Sequence, residues 1–242
     1  MKGVTRSILL ILILVNGIAT VVHFQANTFS VDPKLLFWLV PWGPSNGTYE
    51  YLLPYLPRII VGIVFPFNTY NLGDQNVSLQ QALSCGSNQY WISTQLSKLE
   101  TVYNESSLVF INFFLTTNHW RGYLTSVTPA QIVLLNYTLH KIASVTNSGK
   151  KLVVGISEMN SLSNYGYYEV YSLMQQVLPN AQLFYYTDLG QSVSSIESVF
   201  DYLQSNGITL NYLGYDVYPY PSYNYVNGVV CIPSNYVSQI SQ

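Results

Sequence analysis

Short apolar runs rich in Val, Ile and Phe recur along this chain, each introduced by one or two polar residues and closed by proline, a turn residue or an acid. Runs bounded in that way predict strands covered on both faces. They fall at residues 35–40, 58–65, 108–115, 151–157, 181–188 and 208–217. Pro41 and Pro66 are expected to stop the first two, because proline has no N–H to give a ladder. Between the runs the apolar period lengthens to that of a helix. Residues 49–56 predict a short helical piece and residues 79–103 one helix or two. Thr128-Pro129 opens another, with an N-cap hydroxyl before a proline at the first position. On that helix Asn136, His140, Ser144 and Asn147 share a polar face. Helices are further predicted over 168–178, and around Ile196, Val199, Phe200 and Leu203 with Gly207 as the stop. Strands alternating with helices imply βαβ units and a parallel sheet. Right-handed crossovers leave a closed barrel or a doubly wound open sheet.

The first residues stand outside this pattern. Lys2 and Arg6 precede an apolar stretch over residues 8–22, the grammar of a basic n-region and an h-region. Residues 1–26 are therefore read as a signal peptide, cut after Ala19 or Ala26, or as an uncut membrane anchor through 8–22. Residues 27–242 are left as a single domain, a size that suits one α/β core. Charged residues make up 8% of the chain and apolar residues 49%, so its surface must be covered by Ser, Thr, Asn, Gln and the 22 tyrosines. With Lys2 and Arg6 set aside, seven basic residues stand against eleven acidic ones, which excludes a basic surface for nucleic acid. Sequons at Asn46, Asn76, Asn104 and Asn136 agree with an extracellular or cell-surface glycoprotein. In an oxidising compartment Cys85 and Cys231 form either one disulfide or two thiols.

Parallel sheets build their sites at the carboxyl ends of the strands, where side chains leave a packed core for a loop-lined crevice. Glu158 follows the buried run at 151–157 and is the first candidate there, either as a functional carboxylate or as a cap on the next helix. Asp216 is in period with Gly214 and Tyr218. It reaches the site if that face is the interior, and otherwise bonds a neighbouring strand or loop. Asp188, beside Leu189-Gly190, reads as a turn or helix-cap residue. Trp42, Trp120, Tyr218 and Tyr220 also follow strand ends, so a parallel barrel gathers them on one rim, where flat rings suit stacking on a pyranose. His119 is placed to bond a sugar hydroxyl. The histidines His23, His119 and His140 are too scattered for a metal set. No nucleophile elbow, phosphate loop or dinucleotide fingerprint is present, so no metal and no cofactor are expected.

Two of these strand endings carry a resemblance. Residues 155–160, Gly-Ile-Ser-Glu-Met-Asn, resemble the fourth-strand motif of retaining glycoside hydrolases with a (β/α)8 TIM barrel, and residues 214–221, Gly-Tyr-Asp-Val-Tyr-Pro-Tyr-Pro, resemble the sixth-strand ending of the same enzymes. The likeness implies that Glu158 is the acid/base and that Asn160, Tyr218 and Tyr220 line a sugar site. It departs from the family in two places. Ser157 stands where an Asn is usual, and no Asp or Glu follows Asp216 to serve as the strand-seven nucleophile. The fold expected is an α/β, TIM-barrel-like barrel, incomplete at six to seven βα units. The function expected is a secreted or cell-surface glycoside-hydrolase-like protein that acts on or binds carbohydrate, weakly active or inactive, with Glu158 and Asp216 as catalytic candidates. The alternative is a non-enzymatic structural or adhesion protein of the cell envelope.

Overall fold

Four helices of this chain start where a hydroxyl side chain takes up an orphan backbone N–H. The computed structural model describes residues 8–15, 18–24, 35–41, 45–69, 71–116, 126–147, 151–156, 162–188, 191–216, 224–226 and 229–231. Within them run β1 (Ile8–Val15), β2 (Ile18–Phe24), β3 (Leu35–Leu39), α1 (Ser45–Leu52) with a 3-10 turn over Leu53–Arg58, and β4 (Ile60–Asn68). Then come α2 (Leu79–Ser84), α3 (Asn88–Glu105), β5 (Val109–Thr116), α4 (Pro129–Thr146), β6 (Leu152–Ile156) and α5 (Asn164–Val177). The series closes with β7 (Gln182–Asp188), α6 (Val193–Ser205), β8 (Tyr212–Asp216), β9 (Asn224–Val226) and β10 (Val229–Cys231). Ser78 and Thr128 close full capping boxes with Gln81 and Gln131, while Ser163 and Ser192 cap α5 and α6.

Strands β3 to β8 form a six-stranded parallel sheet in sequence order, with helices in every crossover. The fold is thus α/β, as the alternating pattern predicts. Residues 8–24, set apart above as a leader, run as a hairpin: β1 pairs antiparallel with β2, β2 antiparallel with β3, and β1 parallel with β8. Beyond residue 221, β9 and β10 pair antiparallel in a separate two-stranded sheet apart from the main one.

Other boundaries move for local reasons. Pro66 does not stop β4. The register with β3 ends at the pair Leu39 and Ile63, whereas that with β5 continues to Asn68 and Thr116, so Pro66 lies on a stretch already free on one side. Helix α5 begins at Asn164 rather than 168, because the Ser163 hydroxyl accepts from the Gly166 N–H at 3.1 Å. Strand β8 starts at Tyr212 rather than 208. Its approach is held by Asn211, whose Oδ1 accepts from Leu183 N–H at 2.8 Å. The Lys151 Nζ donates to the carbonyls of Tyr103 and Ser106 at 3.2 and 3.4 Å, closing the carboxyl end of α3. Cys85 is buried and its thiol is free, so the disulfide to Cys231 is not formed.

The two faces of the sheet differ. One face, through Val61, Ile63, Phe65, Ile111, Phe113, Val154, Ile156 and Tyr185, packs against all the helices in one large core. The other packs on itself: Leu36, Trp38, Phe110, Val153, Phe184, Tyr186 and Tyr212 form a second cluster that contains no helical residue. Phe110 of β5 meets Phe184 of β7 at 5.5 Å and Tyr212 of β8 at 5.9 Å between ring centroids. In a flat sheet, strands three apart lie about 14 Å from one another, so the sheet is strongly curved with this cluster on its concave side.

Glycines make that curvature possible. Trp38 lies over its register partner Gly62, Phe184 over Gly155, and Tyr186 over Gly214. A Cβ on Gly214 would come 2.7 Å from the Tyr186 ring, and one on Gly155 would strike the Phe184 carbonyl oxygen. The missing side chain on one strand is the space that the aromatic of its neighbour fills.

Candidate functional site

Buried polar side chains from the helices hold the strand ends apart. Gln95 of α3 donates from Nε2 to the carbonyl of Leu39 and, at 2.8 Å, to that of Val64, filling the fork where β3 and β4 diverge. Asn88 donates to the Asn68 carbonyl at 2.7 Å and accepts from its N–H at 2.6 Å, while Gln131 donates to the Leu115 carbonyl at 3.3 Å. At the end of β7, the Tyr185 and Thr187 hydroxyls both donate to Gln191 Oε1 at 2.6 Å, and Gln191 Nε2 donates to Ser195 Oγ at 3.3 Å. These ties fix the backbone from which any crevice at the carboxyl edge is built. Beneath them, burial pushes the Tyr167 and Tyr171 phenols up from the ordinary tyrosine range, with Tyr185 adding to both. The Tyr171 hydroxyl donates to the Phe184 carbonyl at 2.7 Å.

Two acidic positions meet at that edge. Asp188 is the last residue of β7 and Asp216 the last of β8, and the two are register partners. Adjacent strands lie about 4.8 Å apart, so the two backbones are immediate neighbours. Counting by twos along each strand, Asp188 continues the series of Phe184 and Tyr186, and Asp216 that of Tyr212 and Gly214. Both positions therefore belong to the concave face, the condition set from the sequence for Asp216. Asp188 was read there as a turn or helix cap, and its register with Asp216 could not be seen without the sheet. The side chains of both lie outside the described residues, as do Trp42, His119, Trp120, Glu158, Asn160, Tyr218 and Tyr220.

The floor below these positions is closed. Leu36, Trp38, Phe110, Phe184, Tyr186, Tyr212 and Gly214 surround a cavity of about 10 Å³, no more than one water. One polar side chain interrupts this aromatic floor. Asn112 of β5 alternates with Phe110 on the concave face, is 5% exposed, and among the described residues has no hydrogen-bond partner for its Oδ1. Its register neighbours, Val64 and Gly155, have no side-chain donor to offer. The signal was present in the sequence as a lone amide inside the apolar run 108–115.

Among the described residues no cluster of His, Cys, Asp or Glu is arranged to hold a metal ion, and no helix is long and apolar enough to cross a membrane. The fold and this edge define an α/β protein with a curved parallel sheet, helices on its convex face and acidic positions at the carboxyl ends of neighbouring strands. No protein-family model matches the sequence, and no curated protein matches it.

Proposed function

We propose that this chain is a carbohydrate-binding, glycoside-hydrolase-like protein built on a (β/α)8-type barrel in which the β1–β2 hairpin stands in place of missing βα units. The observation that carries this reading is the register of Asp188 with Asp216 at the carboxyl edge of the concave face. Glycoside hydrolysis needs two carboxyl groups about the scissile bond, and this register sets two acidic positions side by side at the edge where such a bond would lie. The reading is also supported by the one-sided helices and by ring contacts across the concave face, which suit a closed sheet better than a doubly wound one. By the resemblance of residues 155–160, Glu158 is the acid/base, and Asp216 is the second carboxylate. Trp42, Trp120, Tyr218 and Tyr220 supply stacking rings, while His119 and Asn160 bond hydroxyls. The sequons support a place outside the cell or on its surface.

Activity is weak in this reading. Without a strand-seven nucleophile, proton transfer from Glu158 supplies a factor of only about 10² to 10⁴. The test is incubation of the purified protein with aryl glycosides and a fluorosugar that traps the glycosyl-enzyme. Expected are binding of sugar on a glycan array, little turnover, and no covalent adduct by intact mass. Binding retained by Glu158→Gln supports a binding role, and a preparation that neither binds nor cleaves any sugar removes the reading. A second reading, an adhesion or packing protein of the cell envelope, is favoured by the exposed rings of Tyr51, Tyr55, Tyr90 and Tyr165. Co-sedimentation with envelope material, lost when these four are changed to Ser, distinguishes it.

A further inference from the structure

We infer that Asn112 is a ligand-contacting residue on the floor of the carboxyl-edge site, where its side-chain amide bonds a hydroxyl of bound carbohydrate. The inference rests on the proposed carbohydrate reading and adds to it a residue that neither the strand-end pattern nor the resemblance indicates. A buried amide oxygen without a donor is costly, and in folded proteins such groups are few. The partner of Asn112 cannot come from the convex side, because Ile111 and Phe113, its neighbours in the strand, fill that side in the helix-covered core. It cannot come from below, because the small cavity beside Phe110 does not reach Asn112. It cannot come from the adjacent strands, whose register partners are Val64 and Gly155. Among the described residues one approach is left, from the carboxyl edge, the side on which the register pair Asp188 and Asp216 lies. Oδ1 is an acceptor, so what reaches it must bring a donor. An amide turned the other way would leave Nδ2 unpaired and seek an acceptor, and a sugar hydroxyl serves either need.

The experiment compares full-length protein with Asn112→Leu, which keeps the volume and removes the amide, and with Asn112→Ala, which removes it without bulk. The ligand-free proteins are melted, and methyl pyranosides taken from the glycan-array hits are titrated by calorimetry. The leucine variant is expected to melt about 2–4 °C higher, because an unpaired buried acceptor is gone, while both variants bind the glycoside about three- to tenfold more weakly. Unchanged affinity in both variants overturns the inference and leaves the carbohydrate reading standing. A lower melting point for the leucine variant overturns it too, since Asn112 would then be bonded in the free protein. Wild-type protein that binds no glycoside removes the carbohydrate reading and this contact together.

Discussion

Gly155 is the position at which a single methyl group would do most harm. A Cβ there meets the carbonyl oxygen of Phe184, and that oxygen is held in place by the Tyr171 hydroxyl at 2.7 Å. Gly214 differs in kind, because what a Cβ meets is the Tyr186 ring, which can turn. Gly155→Ala is therefore expected to destabilise by about 1–3 kcal/mol, with Gly214→Ala at the lower end of that range, as measured by urea denaturation. Equal costs at the two glycines would refute the distinction between a backbone and a side-chain obstacle. At this scale the sequence was legible where chemistry broke a pattern. Asn112 and Asp216 stand out in apolar surroundings, and the strand glycines stand out by type. What could not be read was the register: nothing in residues 181–188 or 208–217 says that Asp188 lies beside Asp216, or that Gly155 lies under Phe184.

Helix α5 and strand β7 are joined by phenols that the folded state keeps neutral. Burial raises the pKa of Tyr167 and Tyr171 above the ordinary value near 10, so the unfolded chain releases these protons first as pH rises. Their contribution to stability is complete below pH 10 and falls as pH climbs past it. Loss of far-UV circular dichroism and the rise of tyrosinate absorbance are expected to coincide above pH 10 for these two residues. In Tyr171→Phe the alkaline transition should release about one proton fewer, and stability at pH 7 should fall by about 1 kcal/mol with the lost bond to Phe184. Ionisation of Tyr167 and Tyr171 while the protein stays folded would show that these phenols are not locked. The elements themselves were legible from apolar period and cap residues, most clearly Thr128-Pro129 and the helix around Ile196 to Leu203. The errors came where a neighbour decided: Ser163 extended α5, and the early end of β3 let Pro66 lie within β4.

The whole sheet draws on residues 8–24, since β2 covers the edge of β3 and β1 that of β8. A chain begun at residue 27 would leave both edges open. It is expected to melt several degrees lower than the full chain and to self-associate, measured by scanning calorimetry and light scattering. Equal melting and a monomeric state would return residues 1–26 to the role of a removable leader. Alternation of runs made the α/β class readable, but pairing between ends of the chain depends on contacts far apart in sequence and has no local signature. The glycine and aromatic partners bear on how such a sheet finds its alignment. A strand that slips past its neighbour keeps its faces only if it moves by two residues. That shift would set Trp38 against Ile60 or Val64, Phe184 against Val153 or Ser157, and Tyr186 against Tyr212 or Asp216. Each ring then strikes a side chain instead of a gap. The rings behave as teeth and the glycines as notches, and a sheet keyed in this way can be threaded in one alignment only.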